Sequence, residues 1–491
     1  MEKGTDRLAG AESQQAGWKQ IFTGKLGVYS LIVNLGVGLF AIDTFVISTI
    51  MPTVVGDIGG TEFYSWSVML FMVGSIMGAA GAGPVRDRLG RRNGYVLAGL
   101  VFLIGNMAAA LAPNMLMLVF WRFVQGLGGG LIISQSYGLV GDVYPQAMRP
   151  RILSIISSTW GIATVIGPGF GGIFAELGLW RGAFWVLVPL AGLFTFLAWR
   201  SIPGSETEET KSRFPLFRLF AMGGGMLCVG FTSQVEDNLL RGALIIAAVF
   251  LVVMGFRRDA QSERPMFPAK TLVITSEIGA AYWVMLLITV SFTIAILYTT
   301  FYLQIIHKQP PLVSAYINAI MSFCWTTSAI VVAGFKGRWI WGSIIGGGGL
   351  LVAGAAVLLT QATTGHVVFV GIGLALIGLG MGLTNNHVIA LAILAAPKGG
   401  EALAGSSVQT MRNLGLGFGA AAAGLFANAA GITSAGVELS ATGHVSASNP
   451  SMVVYAINWV HGADLGAALL TLLVILYYFG KAKHRTAPVS D

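Results

Sequence analysis

Long apolar runs punctuated by short polar clusters repeat along the whole chain. A helix needs about 20 mostly apolar residues to cross a bilayer. Fourteen runs reach or approach that length, at 26–52, 62–82, 94–112, 115–140, 152–176, 182–200, 216–234, 241–256, 278–305, 312–334, 341–361, 366–394, 403–430 and 457–479. The seventh and eighth are the most interrupted, by Gly223 to Gly225 and by Glu236-Asp237; without them twelve spans remain. Polar stretches at Pro203 to Arg213 and Arg257 to Lys270 divide the pattern into segments. These are an N-terminal segment (1–25), a six-helix bundle (26–200), linkers with two inserted transmembrane helices (201–270), a second six-helix bundle (271–480) and a tail (481–491). The expected fold class is an all-α integral membrane protein.

Composition agrees with that pattern. Over 491 residues the chain is 55% hydrophobic and only 10% charged, with a mean hydropathy of +0.75, whereas soluble domains carry about 25% charged residues. The basic residues orient the spans, because cytoplasmic loops retain Lys and Arg during insertion. With both termini inside, all but five of the 29 Lys and Arg fall on the cytoplasmic side; the exceptions are Arg181, Arg241 and Lys308 outside and Arg122 and Arg412 within spans. The net charge of +8 is thus scattered over short loops, which argues against a nucleic-acid partner. Residues 1–20 are polar, unlike a cleavable signal peptide. Cys228 and Cys324 fall in apolar runs and read as packing residues, with no disulfide and no metal site expected. No Gly-x-x-x-x-Gly-Lys-Ser/Thr phosphate loop is present, which disfavours an ATP-driven pump, and no catalytic constellation points to an enzyme.

Two glycine-and-charge clusters stand out. Between the second and third runs lies Gly83-Pro84-Val85-Arg86-Asp87-Arg88-Leu89-Gly90-Arg91-Arg92, where glycines permit a tight turn and the charges can form an ion-pair latch between the two halves. Inside the fifth run lies Gly167-Pro168-Gly169-Phe170-Gly171-Gly172. Its proline bends the helix, and Gly167 and Gly171 allow close helix approach. In the fourth run Arg122, Gln125, Gly126 and Gly129 share one helical face, and an arginine there is expected to face protein or water rather than lipid. Ser154, Gly167, Gly172, Phe174 and Ala175 recur as Ser406, Gly419, Gly424, Phe426 and Ala427, a faint internal repeat of the kind common in secondary transporters.

These motifs carry a resemblance to the major facilitator superfamily and, within it, to the fourteen-span drug:proton antiporters. Gly83, Asp87, Arg88, Gly90, Arg91 and Arg92 match the family's loop between spans two and three. Gly167, Pro168, Gly171 and Gly172 resemble the helix motif of exporters that exchange drug for proton, with Ala163 where a glycine is usual. Arg122 matches an arginine implicated in proton coupling, or it only pins the bundle. Asp43, in Ala41-Ile42-Asp43-Thr44 before Pro52, resembles an Asp-x-Thr…Pro pattern. It is the first choice for a proton or cation site, with capping or pairing to Arg122 as a compatible structural role. Arg412, in Arg412-Asn413-Leu414-Gly415, repeats another family pattern and lines the pathway or satisfies the bundle. The loop at Gly334 to Arg338 is a shortened counterpart of the first latch and lacks its aspartate.

Other polar residues within runs are weaker candidates for the pathway: Glu277, Asn385, Asn386, His387, His461 and Asp464. His461 and Asp464 share a helical face three residues apart, as a proton relay or as interface residues. The resemblance implies an inner-membrane antiporter, of bacterial type, in the major facilitator fold. It would export amphipathic organic compounds against protons, driven by the proton gradient without a cofactor. A dedicated metabolite carrier, importer or uniporter, is one alternative. The inner-membrane part of a multi-component exporter, with a membrane-fusion adaptor as partner, is another. The chain is expected to act as a monomer.

Overall fold

In lipid the backbone finds no outside hydrogen-bond partners, so long apolar runs satisfy their N–H and C=O groups internally as helices. The computed structural model describes residues 20–145, 148–204, 215–235, 237–262, 265–397, 400–440 and 445–482. Its helices are α1 (Gly24–Ile58), α2 (Trp66–Ala110), α3 (Met115–Val143), α4 (Arg149–Glu176), α5 (Trp180–Ser201), α6 (Leu216–Thr232), α7 (Asn238–Ala260), α8 (Glu277–Leu297), α9 (Thr299–Ile305), α10 (Pro311–Val332), α11 (Arg338–Gln361), α12 (Val367–Leu394), α13 (Glu401–Ala429) and α14 (Pro450–Ala482). Among the described residues, eleven helical stretches are long and apolar enough to cross a membrane. One of them, 61–110, holds both the second and third expected spans. They meet at Gly90, whose φ of 76° and ψ of 166° break the helix in a region that favours glycine. The interrupted seventh run forms α6, an apolar helix of 17 residues that falls short of the length of a span, whereas the eighth forms a full-length one. Also outside the eleven is α13, which carries Ser407, Gln409, Arg412 and Asn413.

The stretch 431–456, between the last two apolar runs, contains an antiparallel hairpin, β1 (Val437–Leu439) with β2 (Val445–Ala447), and the first turns of α14. The hairpin packs on the end of α1, where Gly56 leaves room for Leu439. This hairpin end lies opposite the basic end, which carries Arg86 to Arg92.

Glycine decides how closely the helices approach. A Cβ on Gly74 or Gly78 of α2 would run into the carbonyls of Phe123 and Leu127 on α3, and one on Gly126 or Gly130 of α3 would meet those of Phe71 and Ser75. The first arm of α2 and α3, which run parallel here, therefore touch backbone to backbone. The repeat noticed in the sequence has a packing counterpart. Gly167 and Gly171 of α4 abut Phe45 and Thr49 of α1, while Gly415 and Gly419 of α13 abut Thr289 and Thr293 of α8. Gly172 faces Leu312 at the start of α10, and Gly424 faces Ser65 just before α2. Each glycine helix thus packs on the first helix of its own half and on the start of the second helix of the other.

The bundles meet through α4 against α10 and α2 against α13. Helices α6 and α7 pack on each other and are tied by an Arg218–Asp259 ion pair of 2.6 Å, whose carboxylate also accepts the backbone N–H groups of Met266 and Phe267.

Replacing Gly130 with Val is expected to overpack the α2–α3 contact and destabilise the fold by about 1–3 kcal/mol. Val at Gly138 of the same helix, where a Cβ would meet nothing within 4 Å, should leave stability unchanged. Thermal melts of the detergent-solubilised variants compare the two directly.

Candidate functional site

The close approach of α2 and α3 creates a buried polar knot in the first bundle. Gly129 of α3 leaves room for the Phe40 ring of α1, which seats Asp43, one turn further along α1, against Arg122. Arg122 donates to Asp43 Oδ2 at 2.7 Å and to Gln125 Oε1 at 2.6 Å. Gln125 in turn donates to Asp43 Oδ1 at 2.6 Å and to Asn106 Oδ1 at 2.8 Å, and Asn106 donates to the Phe102 carbonyl on its own helix. Arg122 Nε reaches the Ser67 carbonyl at 3.3 Å, and its guanidinium lies 4.1 Å above the Phe71 ring. Asp43 is 1% and Arg122 0% exposed. A buried charge of either sign is tolerated only when paired and hydrogen-bonded, and here each satisfies the other. The proposed alternatives for Asp43, proton site and partner of Arg122, therefore occupy the same atoms.

The basic end departs from the expected latch. Arg86 and Arg91 both pair with Asp142 of α3, at 2.7 and 3.2 Å. Asp142 belongs to the same bundle, so these pairs staple α2 to α3. Asp87 is half-buried on the last turn before Gly90, and Arg88 is exposed; Arg92 lies beside Gly204. Gly83 and Gly90 are on this same segment of α2. Arg149 closes the α3 terminus by donating to the Gly141 carbonyl at 2.7 Å and that of Tyr144 at 3.1 Å.

Contacts between the halves gather toward the hairpin end. Thr300 donates to the Ser48 carbonyl at 2.5 Å, Asn428 to the Glu62 carbonyl at 2.9 Å, and Tyr64 stacks on Tyr298 with ring centroids 4.7 Å apart. Gly172 of the Gly167-Pro168-Gly169-Phe170-Gly171-Gly172 segment admits Leu312 from the other half. At mid-depth Asn413 donates to Ser75 at 3.3 Å. Toward the basic end Ser154, Ser157 and Ser158 of α4 and Asn386 of α12 are exposed.

The remaining candidates do not form one site. Glu277 is exposed on the first turn of α8, at the basic end. Asn385 donates to Asn386 at 3.3 Å, and His387 is buried with its Nε2 unpartnered. His461 and Asp464 are buried on α14, where Ser291 donates to Asp464 Oδ1 at 2.5 Å and the Tyr302 ring lies edge-on to His461. Arg412 projects from α13 with its guanidinium 5.0 Å from the Trp325 ring. Sequence reasoning missed two members of these networks. Asn106 is the sole amide in the third run, and Asp142 is the lone acid at the end of the fourth run, facing the basic loop; both signals were present but unspecific.

Comparison with known proteins agrees with the architecture. A model of the Major Facilitator Superfamily matches residues 33–420. The chain is 28% identical over 434 residues to a probable multidrug-efflux transporter of Mycobacterium tuberculosis, covering 85% of this chain and 91% of the relative. It is 26% identical over 421 residues to the multidrug transporter protein MdtP of Bacillus subtilis, covering 81% and 75% respectively. In structure it resembles a bacterial homologue of the human lysosomal transporter Spinster, in an inward-facing and unoccupied conformation. The TM-score is 0.63 at 14% identity, over 93% of this chain and 97% of that one.

Asp43→Ala removes the only carboxylate paired with Arg122 among the described residues and is expected to cost about 3–5 kcal/mol, because it strands a buried charge. The double replacement of Asp43 and Arg122 by Ala should recover part of that loss. A double-mutant cycle read by thermal denaturation in detergent measures the coupling.

Proposed function

The chain belongs to the Major Facilitator Superfamily, and on that premise we propose that it is a multidrug-type efflux antiporter, exchanging amphipathic organic compounds for protons by alternating access. It is a multi-pass membrane transporter with bacterial relatives. Under the proposal it crosses a bacterial inner membrane fourteen times, with the basic end and both termini in the cytoplasm. The efflux reading draws on the named relatives. The coupling reading rests on one observation, the buried Asp43–Arg122 pair.

A proton delivered to Asp43 Oδ2 would neutralise the carboxylate and remove the attraction that holds the Arg122 guanidinium. The freed guanidinium keeps its acceptors on Gln125 and Ser67 but loses its counter-charge, so protonation and rearrangement of this knot are linked. Ser48 lies five residues along α1 from Asp43 and accepts the Thr300 hydroxyl of the other half. The same helix also packs on Gly167 and Gly171 of α4. A shift of α1 on protonation would therefore reach the contacts that close the hairpin end. With the hairpin end outside, the arrangement corresponds to an inward-facing state from which substrate enters from the cytoplasm. Asp142, holding Arg86 and Arg91 in one bundle here, would be free to exchange partners when the basic end closes.

In proteoliposomes under an imposed pH gradient, adding unrelated amphiphiles is expected to evoke proton movement, and Asp43→Asn should reduce it to background. Narrow competition by a single compound with inward flux would instead identify a metabolite carrier. Normal coupling in the Asn variant would remove Asp43 from the mechanism.

A further inference from the structure

Of Arg122, Arg218 and Arg412, three arginines set in helices, two have carboxylate partners. Arg122 pairs with Asp43 and Arg218 with Asp259. Arg412 is the third. No carboxylate pairs with it among the described residues, and its Nε is buried without a hydrogen-bond partner. Its neighbours on α13 are engaged elsewhere: Gln409 donates to Asn413 at 3.0 Å, and Asn413 donates across the halves to Ser75. Its described aromatic neighbour is a tryptophan. Trp325 of α10 lies 5.0 Å from it, packed edge-on against Phe292.

An isolated guanidinium at mid-depth is costly unless a counter-charge arrives. Asp43 cannot serve, since Arg122 already neutralises it, and Asp464 is bonded to Ser291 of α8. Arg412 therefore carries a positive charge with no carboxylate paired to it among the described residues, bordered by the Trp325 ring. Arginine presents donors in a planar fork that matches a carboxylate or similar oxyanion, and the Trp325 ring suits an aromatic body beside it.

We propose that Arg412 is the charge-selecting group of the transport pathway, and that the substrates this protein prefers are aromatic organic anions rather than cations. This rests on the efflux reading for its location in a pathway, but not on proton coupling. The wild-type protein in detergent would be titrated with a naphthalenecarboxylate, its neutral carboxamide and a naphthyl trimethylammonium, with binding followed by tryptophan fluorescence. The carboxylate is expected to bind more tightly than the cation by about tenfold or more, as a charge-assisted hydrogen bond implies. Arg412→Gln should abolish that preference while leaving carboxamide binding intact, which also reports that the variant is folded. Arg412→Lys should keep part of the preference. Equal or tighter binding of the cation by the wild-type protein, no binding of the carboxylate, or unchanged carboxylate affinity in Arg412→Gln would each overturn the proposal. If the carboxylate binds with the expected preference but no flux of it is seen in proteoliposomes, the efflux reading fails while the charge assignment stands.

Discussion

A guanidinium and a carboxylate can be buried together only if their donors and acceptors are almost fully used, and the Asp43–Arg122 pair sets that demand on everything around it. Gln125 must bridge the two, Asn106 must hold Gln125, and the Ser67 carbonyl must take the remaining Nε–H. Those partners come from α1, both arms of α2, and α3. They converge only because glycines at 74, 78, 126 and 130 let α2 and α3 meet backbone to backbone. Close packing in lipid gains from dispersion and hydrogen bonds, not from hydrophobic driving force, so the glycine contact and the polar knot support each other.

The same logic separates the two ends of the molecule. At the hairpin end the halves share a stacked tyrosine pair and side-chain hydrogen bonds to backbone carbonyls. One buried apolar cluster runs through both halves there, while a second stays within the first bundle. At the basic end the ion pairs between α2 and α3 are partly exposed, and such pairs contribute little stability, about 0–1 kcal/mol. Weak, exchangeable charge contacts at one end and packed rings at the other fit a molecule whose halves separate at one face at a time.

Much of this was legible along the chain. Apolar runs announce helices because their period and length have few other solutions in lipid, and the loop around Asp87 and Gly90 announced a sharp break that the φ of Gly90 provides. Arg122 and Asp43 were each visible as costly residues within apolar runs. Partner choice was less accessible. The basic loop suggested a latch across the halves, yet Arg86 and Arg91 found Asp142 on their own bundle, because the α2–α3 contact puts the end of α3 beside that turn. Likewise His461 and Asp464 share a helical face, yet Asp464 accepts from Ser291, 173 positions away, while both His461 ring nitrogens are buried without a hydrogen-bond partner.

The sequence by itself determined that this is a membrane-embedded helical protein, because apolar length is a local property written residue by residue. Only the tertiary structure decided which charges are compensated. Asp43, Arg122 and Arg412 look alike as lone ionisable residues in apolar runs. Whether a counter-charge lies within hydrogen-bond reach depends on which helices are neighbours and how they are rotated, and three-dimensional packing alone sets that.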